Sequence, residues 1–129
     1  MSIMTGGEAL VASLLREDIK IIFGLPGVQI MEALDAVYRE PQLRWVSVRH
    51  EQTAAFMAYG YARTTGRIGV VLVVPGPGAL NTTAALGTAY ATSTPILLVS
   101  GQVETCHLGR RCGALHEVTD QLDVFRPLT

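Results

Sequence analysis

Seven consecutive residues, Ile68 to Val74, read Ile-Gly-Val-Val-Leu-Val-Val and carry no polar side chain. A strand with one wet face alternates apolar and polar residues. A run that is apolar throughout is expected of a central parallel strand covered on both faces. The rest of the chain must therefore provide a layer on each side of it. With 129 residues there is enough for one domain, which at this size buries roughly two-thirds of the surface of its unfolded chain.

The flanking segments supply those layers. Thr5-Gly6-Gly7-Glu8 fits a capping box, with Thr5 as N-cap and Glu8 three residues on, opening a helix to about Glu17 whose inner side is Val11, Leu14 and Leu15. Ile19 to Phe23 is a short β-branched strand, and Gly24-Leu25-Pro26-Gly27 is a turn. Ile30, Leu34 and Val37 recur at helical spacing between Val28 and Arg39, with Met31 and Tyr38 alongside, and Pro41 closes that helix. Leu43 to Val48 is a second strand. His50 to about Thr65 is a helix in which Ala54, Ala58 and Ala62 repeat every four residues, a small-residue stripe that permits close packing within the domain or across a dimer interface. Gly66 ends it.

After the apolar strand come Pro75-Gly76-Pro77-Gly78, a helix from about Ala79 to Thr94, and a fourth strand, Pro95 to Ser100. Gly101 to Gly113 reads as an exposed loop. His116 to Phe125 reads as a short helix with Val118, Leu122 and Phe125 turned inward. Strands alternating with helices predict an α/β fold, three-layered, with a central parallel sheet and right-handed crossovers. Ligands of such sheets sit at the carboxyl ends of the strands. Four segments are expected there: Gly24–Gly27, Arg49–Gln52, Pro75–Asn81 and Ser100–Gln102.

Ten basic residues against eleven acidic ones leave a net charge of −1 and no basic stripe, so nucleic acid and anionic membrane are poor partners. The first seven residues lack a signal-peptide layout, no apolar run reaches the ~20 residues of a membrane span, and the two cysteines read as free thiols. Cytoplasm is the expected compartment.

Glu51 follows a strand and opens a helix. In the first helical turn a carboxylate gains about 0.3–1 kcal/mol from the helix dipole, and that alone could account for it. The chemical alternative is a carboxyl in an apolar crevice, able to hold or exchange a proton near neutral pH. Pro75 to Asn81 is either a tight turn or a place where a ligand touches main chain at a helix start. It is neither a dinucleotide fingerprint nor a Walker loop. Cys106, His107, Cys112 and His116 are zinc-type side chains, but the adjacent Cys-His pair and six-residue step to Cys112 match no common spacing, and no metal ligand is expected.

Taken together, Gly24-Leu25-Pro26-Gly27, Arg49-His50-Glu51-Gln52-Thr53-Ala54-Ala55, Tyr59-Gly60-Tyr61-Ala62-Arg63, Pro75-Gly76-Pro77-Gly78 with Asn81, and Pro95 through Gly101-Gln102 occur in a familiar order and spacing. From about Thr5 to Thr129 the chain resembles the N-terminal, pyrimidine-binding domain of thiamine diphosphate enzymes of the acetolactate synthase, pyruvate oxidase and benzoylformate decarboxylase group. The resemblance implies that residues 1–129 are a pyrimidine-binding domain lacking its last elements, with the diphosphate-binding domain absent. It assigns Glu51 to the catalytic glutamate, which hydrogen-bonds N1′ of the aminopyrimidine and so favours the 4′-imino tautomer that removes the thiazolium C2 proton.

By the same resemblance, Pro26, Gly27, Pro75, Gly76, Pro77, Gly78 and Asn81 approach the cofactor, while Gly24, Leu25, Gln102 and His116 lie on the substrate side. His116 stands where acetolactate synthases commonly carry Gln. Thiamine diphosphate is the implied cofactor, Mg²⁺ is expected only through the missing diphosphate domain, and FAD is left open with no residue supporting it. The implied substrate is a 2-oxo acid and the implied assembly a homodimer or tetramer, or a pairing with a separate diphosphate-domain chain. Two functions follow: a decarboxylase or carboligase domain acting within a complete enzyme and inactive when isolated, or a non-catalytic cofactor-binding or assembly module needing a partner chain.

Overall fold

The computed structural model describes residues 3–129; Met1 and Ser2, at the head of the segment read for a signal peptide, lie outside the described residues. The elements in chain order are α1 (Gly6–Arg16), β1 (Ile21–Gly24), a 3₁₀ turn (Val28–Ile30), α2 (Met31–Arg39), β2 (Arg44–Ser47), α3 (Glu51–Thr65), β3 (Gly69–Val73), α4 (Pro77–Leu80), α5 (Thr83–Ala91), β4 (Ile96–Ser100), α6 (Gln121–Phe125) and a final 3₁₀ turn (Arg126–Leu128). The four strands form one sheet in the order β2-β1-β3-β4, and every pairing is parallel.

The apolar run behaves as its composition requires. All five residues of β3 are buried. Val70 and Leu72, with Val74 beyond the strand, face one core shared with Val11, Leu14, Ile30 and Val37. Val71 and Val73 face a second core shared with Ala54, Ala55, Ala58, Leu86 and Phe125. One sheet is thus covered by α1 and α2 on one side and by α3, α5 and α6 on the other. From β1 the chain steps outward to β2 and then returns past β1 to β3. If crossovers keep one hand, that reversal puts α2 and α3 on opposite faces.

Local signals match the ends of the elements. Thr5 Oγ1 accepts from Glu8 N at 3.2 Å while Glu8 Oε2 accepts from Thr5 N at 2.7 Å, closing the capping box. Gly66 closes α3 at φ 71°. The alanine stripe is resolved in favour of the interior: Ala54 and Ala58 are fully buried and Ala62 nearly so. The stripe seats α3 on the sheet so tightly that a Cβ on Gly69 would lie 2.2 Å from the Ala58 carbonyl oxygen.

Several expectations are corrected. Met31 and Tyr38 are 62% and 89% exposed rather than alongside the inner face of α2; Ala36 fills that face beside Val37. The helix expected from Ala79 to Thr94 is broken at Asn81–Thr82 into α4 and α5. There the buried Thr82 hydroxyl donates to the Ala79 carbonyl at 2.6 Å and the Thr83 hydroxyl to the Leu80 carbonyl at 2.9 Å, so side chains compete for the helix's own acceptors. The helix expected from His116 starts only at Gln121. His116 has φ 63°, which no right-handed helix accommodates, and Asp120 Oδ1 accepts from Asp123 N at 3.1 Å as the true N-cap. Leu122, expected inward, is 75% exposed.

Candidate active site at the carboxyl edge of the sheet

The chain reverses direction across the sheet between β1 and β3, the switch point at which parallel sheets open a crevice beyond their carboxyl ends. The turns after β1 and β3 meet there around one side chain. A Cβ on Gly27 would come within 2.4 Å of Val74 Cγ1, and one on Gly78 within 2.6 Å of Val74 Cγ2. Glycine is required at both places so that the two turns can close on Val74. Gly24, the last residue of β1, is enclosed in the same way by the Trp45 ring and the Leu72 carbonyl. It is buried, while Pro26 beyond it is exposed.

Glu51 enters from the α3 side. His50 precedes it in extended conformation and caps the helix, its Nδ1 accepting from Gln52 N at 3.2 Å. The His50 side chain therefore has a structural task. Glu51 is 8% exposed, the one buried carboxylate among the described residues. Its Oε2 accepts from Asn81 Nδ2 at 2.9 Å. The break between α4 and α5 falls at Asn81, and so presents it as the cap of α4. The other oxygen, Oε1, faces Gly78, where an added Cβ would stand 3.5 Å away.

The turn carrying Gly78 and Asn81 is held by a residue that the pattern of the sequence does not single out. Gly76 has φ 57°, a left-handed conformation that favours glycine. Its N–H donates to Gln121 Oε1 at 2.7 Å. The same carboxamide donates through Nε2 to Ser100 Oγ at 3.1 Å and more weakly to the Gly101 carbonyl at 3.4 Å. Gln121 thus ties the end of β3 to the end of β4. A second amide, Gln29 Nε2, donates to the Leu115 carbonyl at 2.9 Å and draws the segment before His116 onto the edge. Gln29 Oε1 and His116 Nδ1 are buried there without partners. The one sequence signal for Gln121 was its place just after the N-cap Asp120; for Gln29 there was none.

Of the residues expected at the site, the structure links Gly27 and Gly78 through Val74, Glu51 to Asn81 by a hydrogen bond and to Gly78 by proximity, and brings Gly76 against the His116 backbone, whose carbonyl oxygen would lie 2.5 Å from a Cβ built on Gly76. Pro75 is buried and Pro77 exposed. Gln102 is placed differently. It lines a cleft of about 480 Å³ on the α1–α2 side together with Gln29 and Gly101, whereas Glu51 lies on the α3 side. A larger groove of about 670 Å³ runs along the outer strand β4, lined by Leu86, Leu98, Gln121, Leu122 and Phe125. Among the described residues, no helix is long and apolar enough to cross a membrane.

Residues 4–124 match the family described as thiamine pyrophosphate enzyme, N-terminal TPP binding domain. The chain is 43% identical to a probable 2-ketoarginine decarboxylase of Pseudomonas aeruginosa over 98% of its own length and 22% of that protein. It is 42% identical to the acetolactate synthase large subunit of Buchnera aphidicola and 44% identical to the acetolactate synthase isozyme 3 large subunit of Escherichia coli, in each case over 99% of this chain and 22% of the relative. The chain thus spans about a fifth of the length of these relatives, and it belongs to the thiamine pyrophosphate enzyme family as an N-terminal cofactor-binding domain.

Proposed function

We propose that this member of the thiamine pyrophosphate enzyme family contributes the pyrimidine-activating half of an active site that decarboxylates or carboligates 2-oxo acids, with Glu51 as its catalytic residue. The observation that carries the proposal is the state of the Glu51 carboxylate. It is buried, one oxygen accepts from Asn81, and the other faces Gly78, which has no side chain. When bound, thiamine diphosphate supplies the electron sink for breaking or forming the bond next to the substrate carbonyl.

The work of the chain itself is to hold and pass a proton at one place. Glu51 Oε1 would face the pyrimidine N1′ and share a proton with it. Asn81 prevents the carboxylate from rotating, and the start of α3 stabilises its charge. The turns at Pro26–Gly27 and Pro75–Gly78, which close on Val74, would form the wall against which the ring rests. Leu25, Gln102 and His116 are proposed on the substrate side, with Gln102 reaching it from the α1–α2 cleft. Mg²⁺ and the diphosphate would be held by another domain or chain, in a homodimer or tetramer. The name of the 2-ketoarginine decarboxylase among the relatives supports a 2-oxo acid as substrate.

The test is C2 proton exchange of thiamine diphosphate in deuterated buffer, measured in the assembled enzyme that carries this domain. Glu51→Gln should slow exchange by roughly 10²–10⁴-fold, the range for a positioned acid–base group. Exchange at the wild-type rate would refute the role of Glu51.

A further inference from the structure

Two polar atoms at the carboxyl edge are enclosed with nothing to bond, Gln29 Oε1 and His116 Nδ1. Buried polar groups are nearly always paired, so each orphan needs an explanation. The two residues are already neighbours. Gln29 Nε2 donates to the Leu115 carbonyl at 2.9 Å, and His116 follows directly in the chain. The His116 backbone is fixed as well. It holds φ 63°, a conformation that costs a residue bearing a Cβ, and its carbonyl oxygen lies where a Cβ on Gly76 would meet it at 2.5 Å. What remains adjustable is the ring, whose terminal torsion is soft.

The hydrogen-bonding roles follow from the chemistry of the two groups. Gln29 Nε2 is committed to a carbonyl, so the amide cannot turn over. The atom left is Oε1, which only accepts and can be met only by a donor. A neutral imidazole carries one proton, and Nδ1 donates only in the Nδ1–H tautomer. The other tautomer would leave two buried acceptors and no donor for either.

We propose that Gln29 is the positioning residue for His116: a turn of the ring brings Nδ1–H onto Gln29 Oε1, which holds the imidazole in the Nδ1–H tautomer and keeps the lone pair on Nε2. Fixing one ring nitrogen decides the chemistry of the other. Nε2 is not among the enclosed atoms, so it is the nitrogen that a ligand can reach. Held this way it can take a proton from a substrate oxygen and return it. The inference rests on the proposed place of His116 at the substrate side. It does not depend on Glu51.

The tautomer is read from the nitrogen chemical shifts of the chain carrying isotopically labelled histidine, in mildly alkaline buffer where imidazole is neutral. His50 is an internal reference of the opposite kind, since its Nδ1 accepts from Gln52 N at 3.2 Å and its proton must sit on Nε2. His116, assigned by the signals lost in His116→Gln, is expected to be predominantly Nδ1–H. Gln29→Leu should abolish that preference. Gln29→Glu, which restores an acceptor but not the donor to Leu115, should recover it. In the assembled enzyme Gln29→Leu should lower kcat by roughly 10²-fold, the lower end for a positioned acid–base group, with KM and C2 proton exchange unchanged. An Nε2–H tautomer for His116 in the parent chain overturns the proposal, as does a tautomer indifferent to Gln29→Leu. Loss of C2 exchange in Gln29→Leu overturns it too, because Gln29 would then support the whole edge. If the tautomer is as expected while Glu51→Gln exchanges normally, the role of Glu51 falls and that of Gln29 stands.

Discussion

Removing the Gln121 carboxamide is the most direct test of how this sheet edge is held. In Gln121→Ala the N–H of Gly76 loses its acceptor at 2.7 Å, inside a turn whose residues 75 and 76 are both buried. A buried donor left without a partner costs about 1–3 kcal/mol. Ser100 Oγ also loses a donor, but it keeps the Gly101 carbonyl at 3.0 Å, so this second loss is small. Water entering from the groove along β4, which Gln121 lines, offsets part of the total. We expect a net loss of about 2 kcal/mol, which for a domain of this size lowers the melting temperature by roughly 5–12 °C. Gln121→Glu keeps the acceptor for Gly76 but faces the Gly101 carbonyl with a carboxylate oxygen, and should fall between Ala and the parent. Leu122→Ala, next in sequence and exposed, is the control and should stay within about 0.5 kcal/mol. Urea denaturation followed by circular dichroism gives the stabilities, and hydrogen exchange at the Gly76 amide reports the local opening. If Gln121→Ala matches the control and Gly76 exchange is unchanged, the clamp does not exist as described.

Three further outcomes can be measured on the same chain. Gly76→Ala combines φ 57° with a Cβ only 2.5 Å from the His116 carbonyl oxygen, and should destabilise by more than the roughly 1–2 kcal/mol of a left-handed backbone alone; a smaller effect in urea denaturation would show that the turn relaxes freely. Gly60→Ala lies inside α3 with nothing within 4 Å of the added Cβ, and should stabilise by about 0.5–1 kcal/mol, seen as a higher denaturation midpoint with unchanged slope. Thr5→Ala removes half of the capping box and should cost about 1 kcal/mol; calorimetry showing no change would mean that α1 is held by packing alone.

The sheet was legible because its signals are redundant. The run from Ile68 to Val74 required cover on both faces, and α1 and α3, one on each face, carried their own end signals at Thr5–Glu8 and Gly66. The edge bearing Glu51 was legible as a set of loops, since strand order places every carboxyl end together. What escaped was decided by contacts between distant residues. Nothing local in Gln121 or Gln29 shows that each bonds a segment 45 or 86 residues away. The break at Asn81–Thr82 was hidden for a different reason: Ala79 to Ala91 has good helix formers, and the interruption comes from two threonine hydroxyls acting on carbonyls one turn back. The early start given to the last helix treated Val118 and Leu122 as helical periodicity, when Asp120 with Asp123 was the stronger signal.

The span of the Gln121 clamp has a consequence for the order in which the domain assembles. The pairing of β1 with β3 and the direct contacts of α3 with those two strands involve only residues before 75, so they can form in a chain that has not yet formed its last helix. The turn at Gly76 acquires its fixed shape only after Gln121 returns to it across 45 residues, a closure that must follow the nearer contacts because its entropy cost is met by few bonds. Folding should then proceed from a finished sheet to an unfinished edge, with Glu51 in place before Asn81 is brought to meet it. Pulse-labelled hydrogen exchange during refolding would show Val71 protected ahead of Gly76; simultaneous protection would argue for a single concerted step.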